Sequence, residues 1–180
     1  MVINVLKMAK DAKVKVPDLI TRPVGRIMFS RAIDKLVNIS EEEILILDFD
    51  GIKVTDSSFI DEFIVKLILD SGIRNYYVKL ANISDISEIN IDSVFNSYST
   101  YNDKRIAVCR SELGRNNRYY IGPLNEQESD IIDFFRINRS ADPDVISRFT
   151  GLEIASVQGI MSELHRLRLV RKTGSGFTSL

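Results

Sequence analysis

The chain has 180 residues, 44% of them hydrophobic and 27% charged, with 24 Lys+Arg against 25 Asp+Glu. That length suits one mid-sized domain or two small ones, and that composition excludes wholesale disorder. A formal net charge of −1 supplies no whole-protein field toward nucleic acid or anionic membrane, and the single cysteine, Cys109, excludes an intramolecular disulfide, a CxxC pair and a cysteine-based zinc site.

Met1 to Lys15 holds no apolar stretch of signal-peptide length, and no run approaches the ~20 apolar residues of a bilayer span. The expectation is a cytoplasmic protein without a membrane partner. Ile3 to Met8 reads as a strand. Ser30 is placed to cap a helix over Arg31 to Val37. The run Ile44-Leu45-Ile46-Leu47-Asp48-Phe49 is too continuous for a half-exposed strand and predicts one covered on both faces. Phe59 to Leu69 has helical spacing of Ile60, Phe63, Ile64, Leu67 and Ile68, with Ser71-Gly72 as its stop. Tyr76 to Ala81 predicts a strand and Ile91 to Tyr98 a helix. Lys104 to Cys109 and Arg118 to Ile121 predict two strands around a polar turn containing Gly114, Asn116 and Asn117. Strands alternating with helices argue for an α/β layer with at least two parallel neighbours.

After Gly122-Pro123 the rhythm changes. Asn125 with Glu128 three positions on forms a capping-box start for a helix through Ile137. Asp142-Pro143 opens a short helix that ends at Thr150-Gly151. A third helix runs from Ile154 to Arg168, burying Val157, Ile160, Met161, Leu164 and Leu167. Leu169 to Lys172, the turn Gly174-Ser175-Gly176, and Phe177 to Leu180 read as a terminal hairpin. The organisation expected is an α/β domain over 1–122 and a small α+β domain over 124–180.

Two motifs in the first domain carry chemistry. Leu47-Asp48-Phe49-Asp50-Gly51 resembles the opening motif of haloacid-dehalogenase-like phosphotransferases, with Ile52 where that family has threonine. The resemblance implies a nucleophile at Asp48, a general acid at Asp50 and magnesium beside them. The longer stretch from Ile44 to Ile52, then Val54-Thr55-Asp56-Ser57-Ser58 and the apolar helix, resembles the STAS superfamily of anti-sigma factor antagonists. There the second serine of the Asp-Ser-Ser turn accepts phosphate from a partner kinase, and that position is Ser58 here; Phe59 stands where the usual antagonist has glycine. Gly25-Arg26, Ser30-Arg31 and Phe59-Ile60-Asp61-Glu62 are similar to a less characterised STAS-like family. Read from the residues alone, Ser58 also serves as a helix N-cap with Asp61 at the third helical position, which contributes about 1 kcal/mol and nothing more. Asp56, Ser57 and Ser58 are therefore the candidate phosphoacceptor or partner surface.

In the second domain, Val145-Ile146-Ser147-Arg148-Phe149-Thr150-Gly151-Leu152, Ser156-Val157 and Leu164-His165-Arg166-Leu167-Arg168-Leu169-Val170 resemble bacterial winged helix-turn-helix regulators. The resemblance implies a recognition helix starting near Glu153, with Ser156 and Gln158 at base edges and Arg166, Arg171 and Lys172 near phosphates. From Leu124 onward there are seven Lys+Arg against eight Asp+Glu, so only Arg166 to Lys172 is locally basic. The alternative is a winged helix used for protein contact. His165, the one histidine, has no nearby histidine or cysteine and reads as a helix-surface residue.

Together these resemblances imply a non-enzymatic bacterial regulator, with no catalytic residue, metal or cofactor. Its partners would be double-stranded DNA, a regulatory protein or kinase, and a second copy of itself. The alternatives are an adaptor, antitoxin or host-defence component that never touches DNA, and the magnesium-dependent phosphotransferase.

Overall fold

The computed structural model describes residues 1–174 and 176–180 and, of Asn116, the backbone alone. The chain is a mixed fold of helices and sheets and divides into two compact units, Met1–Pro123 and Leu124–Leu180.

Unit 1 begins with β1 (Val2–Asn4), which passes directly into α1 (Val5–Asp11). The strand expected over Ile3 to Met8 is thus cut short, because the Asn4 side chain accepts a hydrogen bond from the Lys7 amide and starts a helix. A short β2 (Asp18–Leu19) precedes α2 (Arg22–Lys35). That helix starts well before the expected Ser30 cap. Pro23 sits in its first turn, where a missing N–H costs nothing, and Ser30 is an exposed residue inside it.

β3 (Ile44–Asp48) is followed by β4 (Val54–Thr55). Leu45 and Leu47 are fully buried, whereas Ile44, Ile46 and Asp48 are half-buried, so only one face of β3 is completely covered rather than both. The next helix runs unbroken through α3 (Ser57–Ile60), a π-helical turn (Asp61–Val65) and α4 (Lys66–Arg74). It passes Gly72 and stops at Asn75, whose left-handed conformation (φ 57°) ends it in place of the expected Ser71-Gly72. β5 (Tyr77–Ala81), α5 (Asp85–Asn102), β6 (Val108–Arg110) and β7 (Tyr120–Ile121) complete the unit.

The main sheet has the order β1-β3-β5-β6-β7. The first four strands are parallel, with Ile46 opposite Val2 and Val78 opposite Leu45, and β7 returns antiparallel to β6. A separate parallel ladder pairs β2 with β4, Leu19 lying opposite Thr55. One continuous apolar core fills the unit, with Leu45, Leu47, Phe59, Phe63, Tyr76 and Phe95 among its fully buried members.

Unit 2 contains α6 (Glu126–Asn138), β8 (Ser140–Ala141), α7 (Pro143–Thr150), α8 (Ile154–Arg166), β9 (Val170–Thr173) and β10 (Gly176–Ser179). The Asn125–Glu128 capping box forms in both directions, at 2.9 Å each way. Gly151 takes the left-handed conformation (φ 73°) that ends α7. β10 pairs antiparallel with both β9 and β8, giving three strands where the sequence predicts two. The predicted Gly174-Ser175-Gly176 turn includes Ser175, which lies outside the described residues. Ile131, Phe135, Ile146, Val157, Met161 and Leu164 are buried as this unit's core.

Candidate functional site

The β2–β4 ladder delivers Thr21 to Asp56. One residue beyond the paired strands, the Asp56 amide donates to the Leu19 carbonyl, and the Thr21 amide donates to both Asp56 carboxylate oxygens at 3.1 Å. The same carboxylate accepts from the Phe59 amide at 2.7 Å, which makes Asp56 the N-cap of α3. The expectation that Ser58 caps this helix, with Asp61 at the third helical position, is therefore corrected. In a run of three capping-type residues the earliest one turns inward, because it alone also reaches Thr21. Ser57 and Ser58 become the first two helical residues, Ser57 exposed and Ser58 half-buried.

The two serines line a cavity of about 300 Å³ together with Arg22, Asp61, Tyr98 and Tyr101. Three segments build it. From α2, Arg22 donates to Asp61 at 2.8 Å and to Glu62 at 2.7 Å, and Arg26, one turn on, reaches Glu62 at 3.4 Å. Gly25 between them allows the close crossing, since a Cβ there would stand 2.7 Å from the Glu62 Cβ. From α5, the Tyr98 hydroxyl donates to Asp61. The N-terminus of α5 is anchored on β4: the Thr55 amide donates to Ser87 Oγ at 3.0 Å and Asn90 Nδ2 donates to the Thr55 carbonyl at 2.8 Å.

The Phe59-Ile60-Asp61-Glu62 motif thus has a physical account. The π turn places Asp61 and Glu62 against α2, where they meet Arg22. Such turns are uncommon and concentrate at functional positions. Glu62, only 3% exposed, also accepts from Lys66, and hydrogen bonds from Lys66 and then Arg22 pull its carboxyl down to about 2. Burial first, and the bond to Asp61 second, push the Tyr98 hydroxyl up to about 12. The site is a charge cluster in which Arg22 is shared between two carboxylates beside two serine hydroxyls.

No family model, curated protein or solved structure matches this chain.

Asp48 lies at the carboxyl end of β3. Its oxygens accept from the Asp50 amide at 3.0 Å, from Asn82 Nδ2 at 2.8 Å and from Asn4 Nδ2 at 3.3 Å, tying three strand ends together. Among the described residues no three His, Cys, Asp or Glu side chains gather as a metal site requires, and no helix is long and apolar enough to cross a membrane. Cys109 is a free, buried thiol, and burial pushes it up to about 12.

In unit 2, Ser156 and Gln158 are both exposed on α8. They flank, rather than share, the outward face, whose middle is Ala155, Gly159 and Ser162. Arg166 is held by Glu163 through Nε and Nη2, each at 2.7 Å. Lys172 on β9 is exposed and Arg171 half-buried. His165 is half-buried, with Nδ1 3.2 Å from the Val170 carbonyl oxygen.

Sequence reasoning missed Thr21, Arg22 and Tyr98. The signal for the first two was Thr21-Arg22-Pro23, a proline in a helical first turn. The signal for the full extent of α5, and so for Tyr98, was Ser84 followed by Asp85 and Glu88, a capping residue with acidic residues in the first turn.

Proposed function

We propose that this chain is a non-enzymatic cytoplasmic regulator whose first unit is a STAS-like module that meets a protein partner along the Asp56-Ser57-Ser58 edge. The observation that supports this best is the division of labour at the start of α3. Asp56 holds the helix and α2, so the Ser57 and Ser58 hydroxyls do no capping and line an open cavity with Arg22. A phosphate on either serine adds up to about two negative charges beside a helix N-terminus and a guanidinium, where charge is accommodated. It would also compete with Asp61 for Arg22 and change the face a partner meets. Such a modification needs a kinase partner.

The test is replacement of Ser58 by Ala and by Asp, with partner capture and DNA binding measured on each, and with tandem mass spectrometry of the chain isolated from its own cells. Phosphate at Ser57 or Ser58, and opposite effects of the two replacements on partner capture, are expected. Unmodified serines and two silent replacements would sink the reading.

A second reading concerns unit 2, where the order α6-β8-α7-α8-β9-β10 fits a winged helix and Ser156, Gln158 and Lys172 are free to reach a duplex. On that reading the protein is a dimeric transcription regulator. Binding to genomic fragments should enrich a repeated motif and weaken steeply with salt, and charge reversal at Arg171 and Lys172 should weaken it further. The weak positive charge around α8 favours the protein-contact alternative if no motif is enriched.

A further inference from the structure

We infer that unit 2 carries a docking groove for a basic amphipathic helix of a protein partner, separate from the outward face of α8. The groove has a volume of about 480 Å³ and is formed by one side of α6 and the end of α7. Its floor is aromatic: Phe134 and Phe149 pack with ring centroids 4.8 Å apart. Phe149 is nevertheless 62% exposed and Ile137, at the groove end, 71% exposed. Two large side chains left this open on a unit of this size mark a surface built to be covered.

The charge around the apolar floor identifies the occupant. Glu126, Asp130 and Asp133 line the groove from α6, at spacings that put them on one side of the helix, and no Lys or Arg lines it. None of the three carboxylates is ion-paired among the described residues, and one oxygen of Asp133 is buried without a hydrogen-bond partner. An acidic rim repels nucleic-acid phosphate and anionic lipid, which leaves a protein as the ligand. Glu126 and Asp130 are exposed, and a guanidinium or ammonium on a guest can pair with them. From Glu126 to Ile137 the rim extends about 16 Å at 1.5 Å per residue, which matches three turns of a guest helix lying along α6. The guest therefore presents apolar anchors at helical spacing to Phe134, Phe149 and Ile137, with arginine or lysine on the flank facing Glu126 and Asp130.

The reading of Ser58 plays no part in this argument. The probe is a displayed library of 16-residue peptides with leucine fixed at i, i+3, i+4 and i+7 and all other positions free. It is selected on the full chain and counter-selected on Ile137→Glu, a change at an exposed position that leaves the core intact. Arg- and Lys-rich sequences should be enriched, should bind at least tenfold more weakly to Ile137→Glu and to Asp130→Lys, and should lose affinity as salt rises. Enrichment of acidic or uncharged sequences, equal binding to the variants, or no enrichment over the counter-selection would overturn the inference. So would sedimentation showing that the chain self-associates and that Ile137→Glu makes it monomeric, since the groove would then be filled by a second copy.

Discussion

Replacing Asp56 by alanine should cost unit 1 far more than replacing Ser58, and the difference can be worked from the hydrogen bonds. Asp56→Ala removes the acceptor for the Phe59 amide, a cap worth about 1 kcal/mol. It also removes both acceptors of the Thr21 amide, a hydrogen bond to a charged group worth roughly 1.5–3 kcal/mol before discounting for the half-exposed position. A total of about 2–4 kcal/mol is expected. Ser58→Ala, which removes a hydroxyl in the first helical turn that caps nothing, should stay within about 0.5 kcal/mol. The assay is urea unfolding followed by tyrosine fluorescence. All six tyrosines lie between Tyr76 and Tyr120 and the chain has no tryptophan, so the signal reports unit 1 alone. With a slope near 2 kcal/mol per molar urea, Asp56→Ala should lower the midpoint by about 1–2 M. Equal losses for the two variants would refute the assignment of the cap to Asp56.

Thr21→Gly should stabilise unit 1 by about 1 kcal/mol on the same assay, because Thr21 sits at φ 78° and ψ 148°, a region glycine tolerates, and its side chain makes no cap bond; a lower midpoint would show that the conformation carries no strain. Glu62→Gln should be destabilising at neutral pH and progressively less so in acid. The Glu62 carboxyl is depressed to about 2 when folded, so its contribution is fully present above about 4.5, the ordinary glutamate value, and disappears as pH falls through about 2; a pH-independent gap between the two proteins would contradict this. Gly114→Ala should cost about 3–5 kcal/mol, since the new Cβ would stand 2.0 Å from Arg110 Nη1 and 2.8 Å from Glu88 Oε1 and would force apart a buried ion pair. A loss below 1 kcal/mol would mean the loop moves aside freely.

The parts legible in the sequence were those governed by neighbours in the chain. The Asn125–Glu128 box, the Gly151 stop and the Ile44 to Asp48 strand each depend on a few adjacent residues, and each forms where that local chemistry puts it. The first strand was misjudged because Asn4 both ends β1 and begins α1, so Ile3, Val5, Leu6 and Met8 mix two periods within one short stretch. The Asp-Ser-Ser turn was recognised, but its cap was assigned to the wrong residue. Three adjacent residues can each cap, and the choice is made by Thr21, which comes from 35 positions away. Arg22, Asp61 and Tyr98 meet only through the crossing of α2 over the π turn and the anchoring of α5 on β4, contacts with no signature in any single segment.

The π turn at Asp61–Val65 also takes up an extra residue without turning the following helix. It accommodates a residue that a regular α-helix of the same rise would not contain, and each residue of an α-helix advances the side chains by about 100°. Removing one residue there would let the helix close into a regular spiral, with Leu67, Ile68 and Ser71 still turned to the interior they now fill. The change would stay within the turn, taking Glu62 out of step with Arg22 and Lys66. The extra residue therefore serves the Asp61–Glu62 face rather than the core, and a graft or chimaera that drops it would keep the helix buried while losing the contact with Arg22.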